Sequence, residues 1–167
     1  VGRDPVHIAH GVSRIRYSDM PRPWHCVFDG VGWLAAYRNA GGVIDLVKAL
    51  DELAKRSVRV PGAMGGRWGI CGSAASVGVA LTVIHGTGPL SADEFYKDNM
   101  RFTSAAIAKM GEIGGARCCK RNAYLSLSTG AAFVREKYGI PMEAAPIVCD
   151  DSARNGQCIG ERCPFYP

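Results

Sequence analysis

Hydrophobic residues recur at the spacing of an α-helix through much of the chain. Residues 29–42 fit one helix, which Asp29 would cap and which the glycines at its end would stop. Residues 43–55 place aliphatic side chains on one face and charged side chains on the other, so they predict an amphipathic helix. We therefore expect a helical hairpin after an irregular lead-in of 24 residues.

Small and β-branched residues between Ser73 and Ile84 predict a buried central helix. Small side chains four residues apart let neighbouring helices approach closely, although the valines of this run leave a strand as the alternative. The preceding segment, residues 61–69, is rich in glycine and proline and predicts a loop. At the end of the run, His85 is either an acid or base near a site or a hydrogen-bonded residue at a helix end.

Two longer helices are expected in the second half of the chain. Ser91 and Glu94 form a capping-box pattern before apolar residues at helical spacing, which continue to a glycine pair at Gly114. Residues 117–121 lie at or just before the next helix, which runs to about Tyr138 and is closed by Gly139 and Pro141. From there to the C-terminus the sequence is irregular and contains proline.

These patterns predict a mainly α fold, namely a compact helical domain with an irregular, cysteine-rich C-terminal segment. Residues 1–24 are expected to form an extended N-terminal arm, and residues 25–167 a single helical, cysteine-rich, metal-binding domain. A chain of 167 residues, 47% hydrophobic and 21% charged, is ordinary for one domain with its own core.

Charge and hydropathy narrow the class of protein. The net charge of +5 is spread along the chain and forms no block, which argues against a nucleic-acid interface. The longest nearly uncharged stretch, residues 68–87, is broken by glycines and polar residues, so no membrane span is predicted. Because no basic start precedes an apolar run, we expect a cytoplasmic protein.

The chain contains seven cysteines, five of which lie in its last 50 residues. An odd number fits a disulfide framework poorly, and clustering of cysteines is typical of a metal centre. Three tail thiolates plus one from an adjacent pair would complete a four-cysteine shell for a [4Fe-4S] cluster or, alternatively, for zinc. The predicted metal ligands are Cys118, Cys119, Cys149, Cys158 and Cys163, and the pattern does not show which of the adjacent pair is the ligand.

Three cations flank the adjacent cysteines, and we predict them as cofactor-binding residues: Arg117, Lys120 and Arg121. Cations lower the pKa of a neighbouring thiol, and together with the amides of a helix N-terminus they would stabilise a negatively charged cluster. The alternative is that the two cysteines are small core residues and that the cations are ordinary solvated groups.

Cys71 lies in a glycine-rich turn before the predicted central helix. Backbone amides at such a place can hold an anion and activate a thiolate, so Cys71 is the candidate catalytic residue, as a nucleophile or a fifth ligand. The alternative is a buried small residue. The glycine-rich segments match no nucleotide-binding loop. Whether the protein is an enzyme therefore stays open.

Three sequence blocks resemble the DUF5714 family: W-G-I-C-G-S-A from Trp68, G-G-A-R-C-C-K-R from Gly114 and N-G-Q-C-I-G-E-R-C-P from Asn155. This is a cysteine-rich domain of anaerobic bacteria and archaea, sometimes attached to a methyltransferase-like domain, with no assigned function. The resemblance implies an anaerobic setting and a shared set of six cysteines, namely Cys71 and the five predicted ligands. It implies no reaction.

We therefore expect an iron-sulfur protein that transfers electrons to, or supports, a partner enzyme of anaerobic metabolism. One option for this partner is an enzyme that handles methyl groups. The first alternative is an enzyme in which a cluster with an open iron site, or the Cys71 thiolate, handles sulfur or a small substrate. The second alternative is a zinc-stapled interaction module. The number of protein ligands distinguishes the enzyme from the other two functions. An open coordination position favours catalysis at the metal, and a filled ligand shell favours electron transfer or a structural role.

Overall fold

A computed structural model describes residues 2–14 and 25–167, and these ranges contain seven α-helices and no strand. The helices are α1 (Pro5–Arg14), α2 (His25–Asn39), α3 (Leu46–Ser57), α4 (Met64–Trp68), α5 (Gly72–His85), α6 (Glu94–Ile113) and α7 (Cys119–Tyr138). Two short 3₁₀ turns, Ser152–Arg154 and Gly160–Arg162, interrupt an otherwise irregular tail. The predicted mainly α fold with an irregular cysteine-rich C-terminal segment is confirmed.

The N-terminal segment corrects the expected extended arm. Residues Pro5–Arg14 form helix α1, whose start is held by Asp4, because its Oδ1 accepts the Val6 N–H at 2.8 Å. Helix α1 packs closely on α2, since a Cβ placed on Gly32 would lie 2.7 Å from Ala9. This tertiary contact stabilises a helix of 10 residues, which is too short to be stable alone in water. Residues 15–24 of the expected arm lie outside the described residues.

Helix α5 lies at the centre of the fold and contacts α2, α3, α6 and α7. Glycines permit these approaches: a Cβ on Gly78 would lie 2.8 Å from Thr103 Oγ1, and one on Gly130 would lie 2.5 Å from Trp33 Nε1. The predicted central helix is confirmed, and the strand alternative is wrong. Large fully buried core residues are Trp33, Leu34, Leu53, Val77, Leu81, Phe102, Leu127 and Val134.

Several helix boundaries differ from the sequence prediction. Helix α2 begins at His25, so Asp29 lies inside the helix, where it is buried, and does not cap it. Helix α6 is capped by Asp93, which accepts the Tyr96 N–H at 3.0 Å, whereas Ser91 accepts the Gly88 N–H. The segment predicted as a loop contains the short helix α4. Of these differences, the position of Asp29 matters for the cysteine region described below.

Helices α5 and α7 both start at cysteines. Cys71 is the N-cap of α5, and Cys118 is the N-cap of α7. His85 ends α5, about 20 Å from Cys71 at 1.5 Å per residue, and its Nδ1 lies 3.1 Å from Asn99 Oδ1. His85 is therefore a hydrogen-bonded residue at a helix end and is no acid or base of the cysteine region. Within the described residues no helix has the length and apolar character needed to cross a bilayer.

Candidate metal centres

The seven cysteines, none of them in a disulfide, line two separate spaces on either side of the start of α7. The four-cysteine pocket is lined by Cys118, Cys149, Cys158 and Cys163. The three-cysteine cavity is lined by Cys26, Cys71 and Cys119. The structure thus brings the three tail cysteines together with Cys118 and places Cys119 with a different group.

The four-cysteine pocket forms where the tail folds back on the start of α7. The Cys149 N–H donates to the carbonyl of Phe165 at 2.7 Å, which joins the two ends of the tail. Gly115, with a φ of +82°, lies in the turn before α7, and a Cβ there would lie 2.9 Å from Ile159 of the tail. These contacts hold the tail against the start of α7. Cys118 and the tail cysteines therefore line one small pocket of about 20 Å³.

Backbone and amide N–H groups surround the sulfur atoms of this pocket. Cys118 Sγ accepts the Arg121 N–H at 3.5 Å and lies 3.6 Å from Asn155 Nδ2. Cys158 Sγ accepts the Gly160 N–H at 3.5 Å. Such donors orient thiolate ligands and, in iron-sulfur proteins, tune the reduction potential of the cluster.

The three predicted cofactor-binding cations have different surroundings. Arg121 lines the four-cysteine pocket, Lys120 lines both this pocket and the three-cysteine cavity, and exposed Arg117 lines that cavity and an outer groove. The Lys120 ammonium lies 3.1 Å from Asp151 Oδ2, and buried Arg121 donates from Nη2 to the Ala116 carbonyl at 2.8 Å. Only two of the three therefore contribute positive charge directly at the tail cysteines.

The three-cysteine cavity has a volume of about 330 Å³ and lies where α2, α5 and α7 meet. Cys26 lies in the first turn of α2, Cys71 caps α5, and Cys119 is the first residue of α7. Cys26 Sγ lies against the backbone of Gly72, since a Cβ there would approach this sulfur to 2.7 Å. Asn122 Nδ2 donates to Cys71 Sγ at 3.3 Å.

Burial dominates the electrostatics of this cavity. Burial, followed by the charges of Asp29, Cys119 and Cys71, raises the pKa of the Cys26 thiol to about 12. Burial also raises the pKa of Cys119, although the Arg117 charge opposes the rise, so the expected lowering of the thiol pKa by cations is wrong for Cys119. A thiol with a raised pKa is a poor nucleophile at neutral pH, whereas a coordinating metal deprotonates it.

Asp29 adds a buried carboxyl group to the cavity lining. Burial raises its pKa to about 7, while the Ser73 hydroxyl and the Lys120 charge oppose the rise. Sequence reasoning took Asp29 for a helix cap and left the role of Cys26 open. The available signal was their spacing, because polar residues three apart share one face of an otherwise apolar helix.

Sulfur spacing separates a single ion from a cluster. In the part of the chain that the structure describes, no three cysteine sulfurs lie within 4.8 Å of one another. Tetrahedral zinc with Zn–S bonds of about 2.3 Å needs thiolates about 3.8 Å apart. In a [4Fe-4S] cluster each thiolate binds a different iron, so the sulfurs stand farther apart. A single zinc ion would therefore require the cysteines of either group to come closer together than they lie in this structure.

Another group of metal-binding residue types lies beside the pocket. Ligand atoms of His10, Asp150 and Asp151 lie within 4.8 Å of one another. Asp151 is already ion-paired with Lys120 and Arg154, which would compete with a cation for its oxygens. This group therefore braces the tail against α1 and α7.

Comparison with known proteins identifies the family of the chain but no individual relative. The model of a family described as "Family of unknown function (DUF5714)" matches residues 1–166. No curated protein and no solved structure matches the chain. The function must therefore be argued from the residues of the two cysteine groups.

Proposed function

Because the chain belongs to the DUF5714 family, whose function is unknown, we propose its role from its own geometry: it is an iron-sulfur protein that transfers electrons to, or supports, a partner enzyme of anaerobic metabolism. The four-cysteine pocket would hold a [4Fe-4S] cluster. The observation that carries this proposal is that four cysteines from the start of α7 and from three points of the tail line one pocket.

The residues of the pocket fit such a cluster in number, type and surroundings. Four thiolates supply one ligand for each iron, and the bound cluster would supply one-electron transfer. The N–H donors at Cys118 and Cys158 and the charges of Lys120 and Arg121 would offset the negative charge of a thiolate-bound cluster. A filled ligand shell favours electron transfer over substrate binding at this cluster.

The size of the pocket adds a requirement. Its volume of about 20 Å³ holds about one water molecule, which needs roughly 10–15 Å³ by the same measure, and a cluster of eight atoms needs more. The proposal therefore requires the tail to move outward from α7 when the cluster binds. This movement must break contacts that hold the tail on α7, such as the ion pair of Lys120 with Asp151 at 3.1 Å.

An outer groove of about 260 Å³ supports contact with a protein partner. Cys118 and Cys119 both border it, and exposed Arg117 gives it positive charge, whereas the charge of Arg154 is paired with Asp151. A partner with an acidic surface would be attracted to this groove and would come close to the cluster ligands. We propose that the two proteins interact in the cytoplasm of an anaerobic organism. One option is that the partner enzyme belongs to methyl-group metabolism.

Two other functions follow from the same residues. In an enzyme, a cluster with an open iron, or the Cys71 thiolate, would handle sulfur or a small substrate, and the three-cysteine cavity favours this alternative because it has room for one. In a zinc-stapled interaction module, zinc would take the place of the cluster. Zinc would require the sulfurs to move closer together on binding, because no three sulfurs of the described cysteines lie within 4.8 Å of one another.

The test is anaerobic purification followed by iron and acid-labile sulfide analysis and electron paramagnetic resonance (EPR) of the reduced protein. Cys118→Ser and Cys119→Ser form a matched pair, because the residues are adjacent and only Cys118 lines the four-cysteine pocket. We expect Cys118→Ser to remove the signal of the four-cysteine cluster and Cys119→Ser to retain it. Zinc without sulfide would replace the proposal with the interaction module. No metal after reconstitution with iron and sulfide would overturn it.

A further inference from the structure

We propose that Cys26, Cys71 and Cys119 form a second metal centre, a [4Fe-4S] cluster with three protein ligands whose fourth iron faces the cavity and binds a small oxygen, nitrogen or sulfur donor. This site goes beyond the four-cysteine cluster and does not depend on it, because it uses different cysteines and another space, although Lys120 and Tyr124 border both.

The first argument is convergence from distant parts of the chain. Three cysteines from the N-terminal ends of three helices line one cavity. Gly72 permits this arrangement, since a side chain there would collide with Cys26 Sγ. Because no disulfide joins these thiols, all three are available as metal ligands.

The second argument is the polarity of the surrounding groups. Helices α5 and α7, with 14 and 20 residues, both present their N-terminal ends to this cavity, and the positive end of the helix dipole favours an anionic cluster. Asn122 donates to Cys71 Sγ at 3.3 Å. Its Oδ1 is buried and has no hydrogen-bond partner within the described residues, so it is available to a donor group of a bound ligand.

The third argument is the ligand count together with the space. All four remaining cysteines line the other pocket, so three thiolates leave one iron of a cubane without a cysteine. The cavity of about 330 Å³ has room beyond the cluster, and Val60, Ala63 and Met64 line its far side. A small molecule with one donor atom and a modest apolar part matches this lining.

The test counts iron and sulfide in three proteins reconstituted without oxygen: wild type, Cys118→Ser and Cys119→Ser. We expect about eight iron atoms per chain in the wild type and about four in each variant. Each protein is then reduced with dithionite and its EPR spectrum is recorded with and without potassium cyanide, a small anionic donor for an open iron. Cyanide should shift the signal of the wild type and of Cys118→Ser and leave that of Cys119→Ser unchanged.

The outcomes separate this site from the proposed function. About four iron atoms that Cys119→Ser does not remove would overturn the second cluster and leave the four-cysteine cluster standing. If instead Cys119→Ser removes the iron and Cys118→Ser does not, the four-cysteine cluster would be overturned and the second cluster would stand. About eight iron atoms with no cyanide shift would overturn the open position, with Asp29 as the group that fills it. Cys71→Ser, checked by circular dichroism, replaces Cys119→Ser if that variant does not fold.

Discussion

Cys118 and Cys119 are adjacent in the chain but line different spaces, the four-cysteine pocket and the three-cysteine cavity. Successive residues of a helix point about 100° apart, and this pair occupies the N-cap and the first position of α7. A Cys-Cys pair at a helix start can therefore supply one ligand to each of two centres. If both proposed clusters form, one peptide bond joins their ligands, which would give an electron a short path from the partner groove to the cavity.

Gly72→Ala should disturb the three-cysteine cavity alone. The added Cβ would lie 2.7 Å from Cys26 Sγ, so this sulfur must turn away from its place at the start of α5. We expect the iron content to fall from about eight to about four atoms per chain, with the EPR signal of the four-cysteine cluster unchanged. Overpacking should also lower the free energy of unfolding by about 1–3 kcal/mol.

Gly111→Ala is the matched control, because Gly111 lies in helix α6 and a Cβ there meets no atom within 4 Å. It should retain all the iron and raise the free energy of unfolding by about 0.5–1 kcal/mol. If Gly72→Ala retains as much iron as Gly111→Ala, the sulfur of Cys26 is not a ligand.

Asn155→Asp should lower the reduction potential of the four-cysteine cluster. Asn155 Nδ2 lies 3.6 Å from Cys118 Sγ, and its Oδ1 accepts the Gln157 N–H at 3.0 Å. Aspartate retains the acceptor, removes the donor to sulfur and adds negative charge, and each of the last two changes disfavours the reduced cluster. Gln157→Glu adds the same charge nearby without touching a sulfur, so a redox titration should show the larger downward shift for Asn155→Asp. Equal shifts would mean that the N–H to sulfur contact has no effect.

Elements with local signals were predictable from the sequence. The amphipathic pattern predicts α3, and Gly139 is the C-cap of α7, with a φ of +68°. Helix α1 was not predicted although Asp4 and Pro5 give a local start signal, a capping residue followed by proline at the first helical position. Asp93 displaced Ser91 as the cap of α6 because two capping residues lay within one turn, and propensity alone does not choose between them.

The site was predictable in residue type and only partly in grouping. Clustering in sequence indicated that the tail cysteines act together, and the structure places them in one pocket with Cys118. The grouping of Cys26 with Cys71 depends on how α2 crosses α5, which no local pattern encodes. The opposite directions of Cys118 and Cys119 depend on where α7 begins, to within one residue, and helix boundaries are uncertain by more than that from sequence.

His85 should make the protein less stable in mild acid. Burial lowers its pKa, against the opposing effects of the Asn99 hydrogen bond and of the Asp98 and Asp93 charges. The folded state therefore keeps His85 neutral below pH about 6.5, where the unfolded state binds a proton, so the free energy of unfolding falls as the pH drops from about 6.5 towards the folded pKa. Above about 6.5 this contribution is constant.

Urea unfolding at pH 7.5 and 5.5 checks the His85 prediction. His85→Phe keeps an aromatic ring to stack on Phe95, whose ring centroid lies 4.3 Å from that of the histidine, and removes the titrating group. We expect the variant to lose less stability than the wild type between the two pH values. An equal loss in both proteins would assign the acid sensitivity to other groups.

Tyr138→Phe should destabilise the end of the fold opposite the cysteines. The Tyr138 hydroxyl donates to Asp98 Oδ2 at 2.9 Å, and the Asp98 side chain is only 3% exposed, with Lys137 Nζ at 3.4 Å from its other oxygen. Removing a hydrogen bond to a buried charge costs about 1.5–3 kcal/mol, because the carboxylate loses a donor that water cannot replace. The free energy of unfolding should fall by that amount.

Tyr96→Phe is the control for Tyr138→Phe, since Tyr96 is an exposed tyrosine in α6 and its replacement should change the free energy of unfolding by less than about 0.5 kcal/mol. Tyr138 and Cys119 lie at opposite ends of α7, about 30 Å apart at 1.5 Å per residue. Both variants should therefore keep the wild-type iron content, which would separate the stability of the helical fold from metal binding. If Tyr138→Phe costs no more than Tyr96→Phe, Lys137 alone satisfies the buried charge of Asp98.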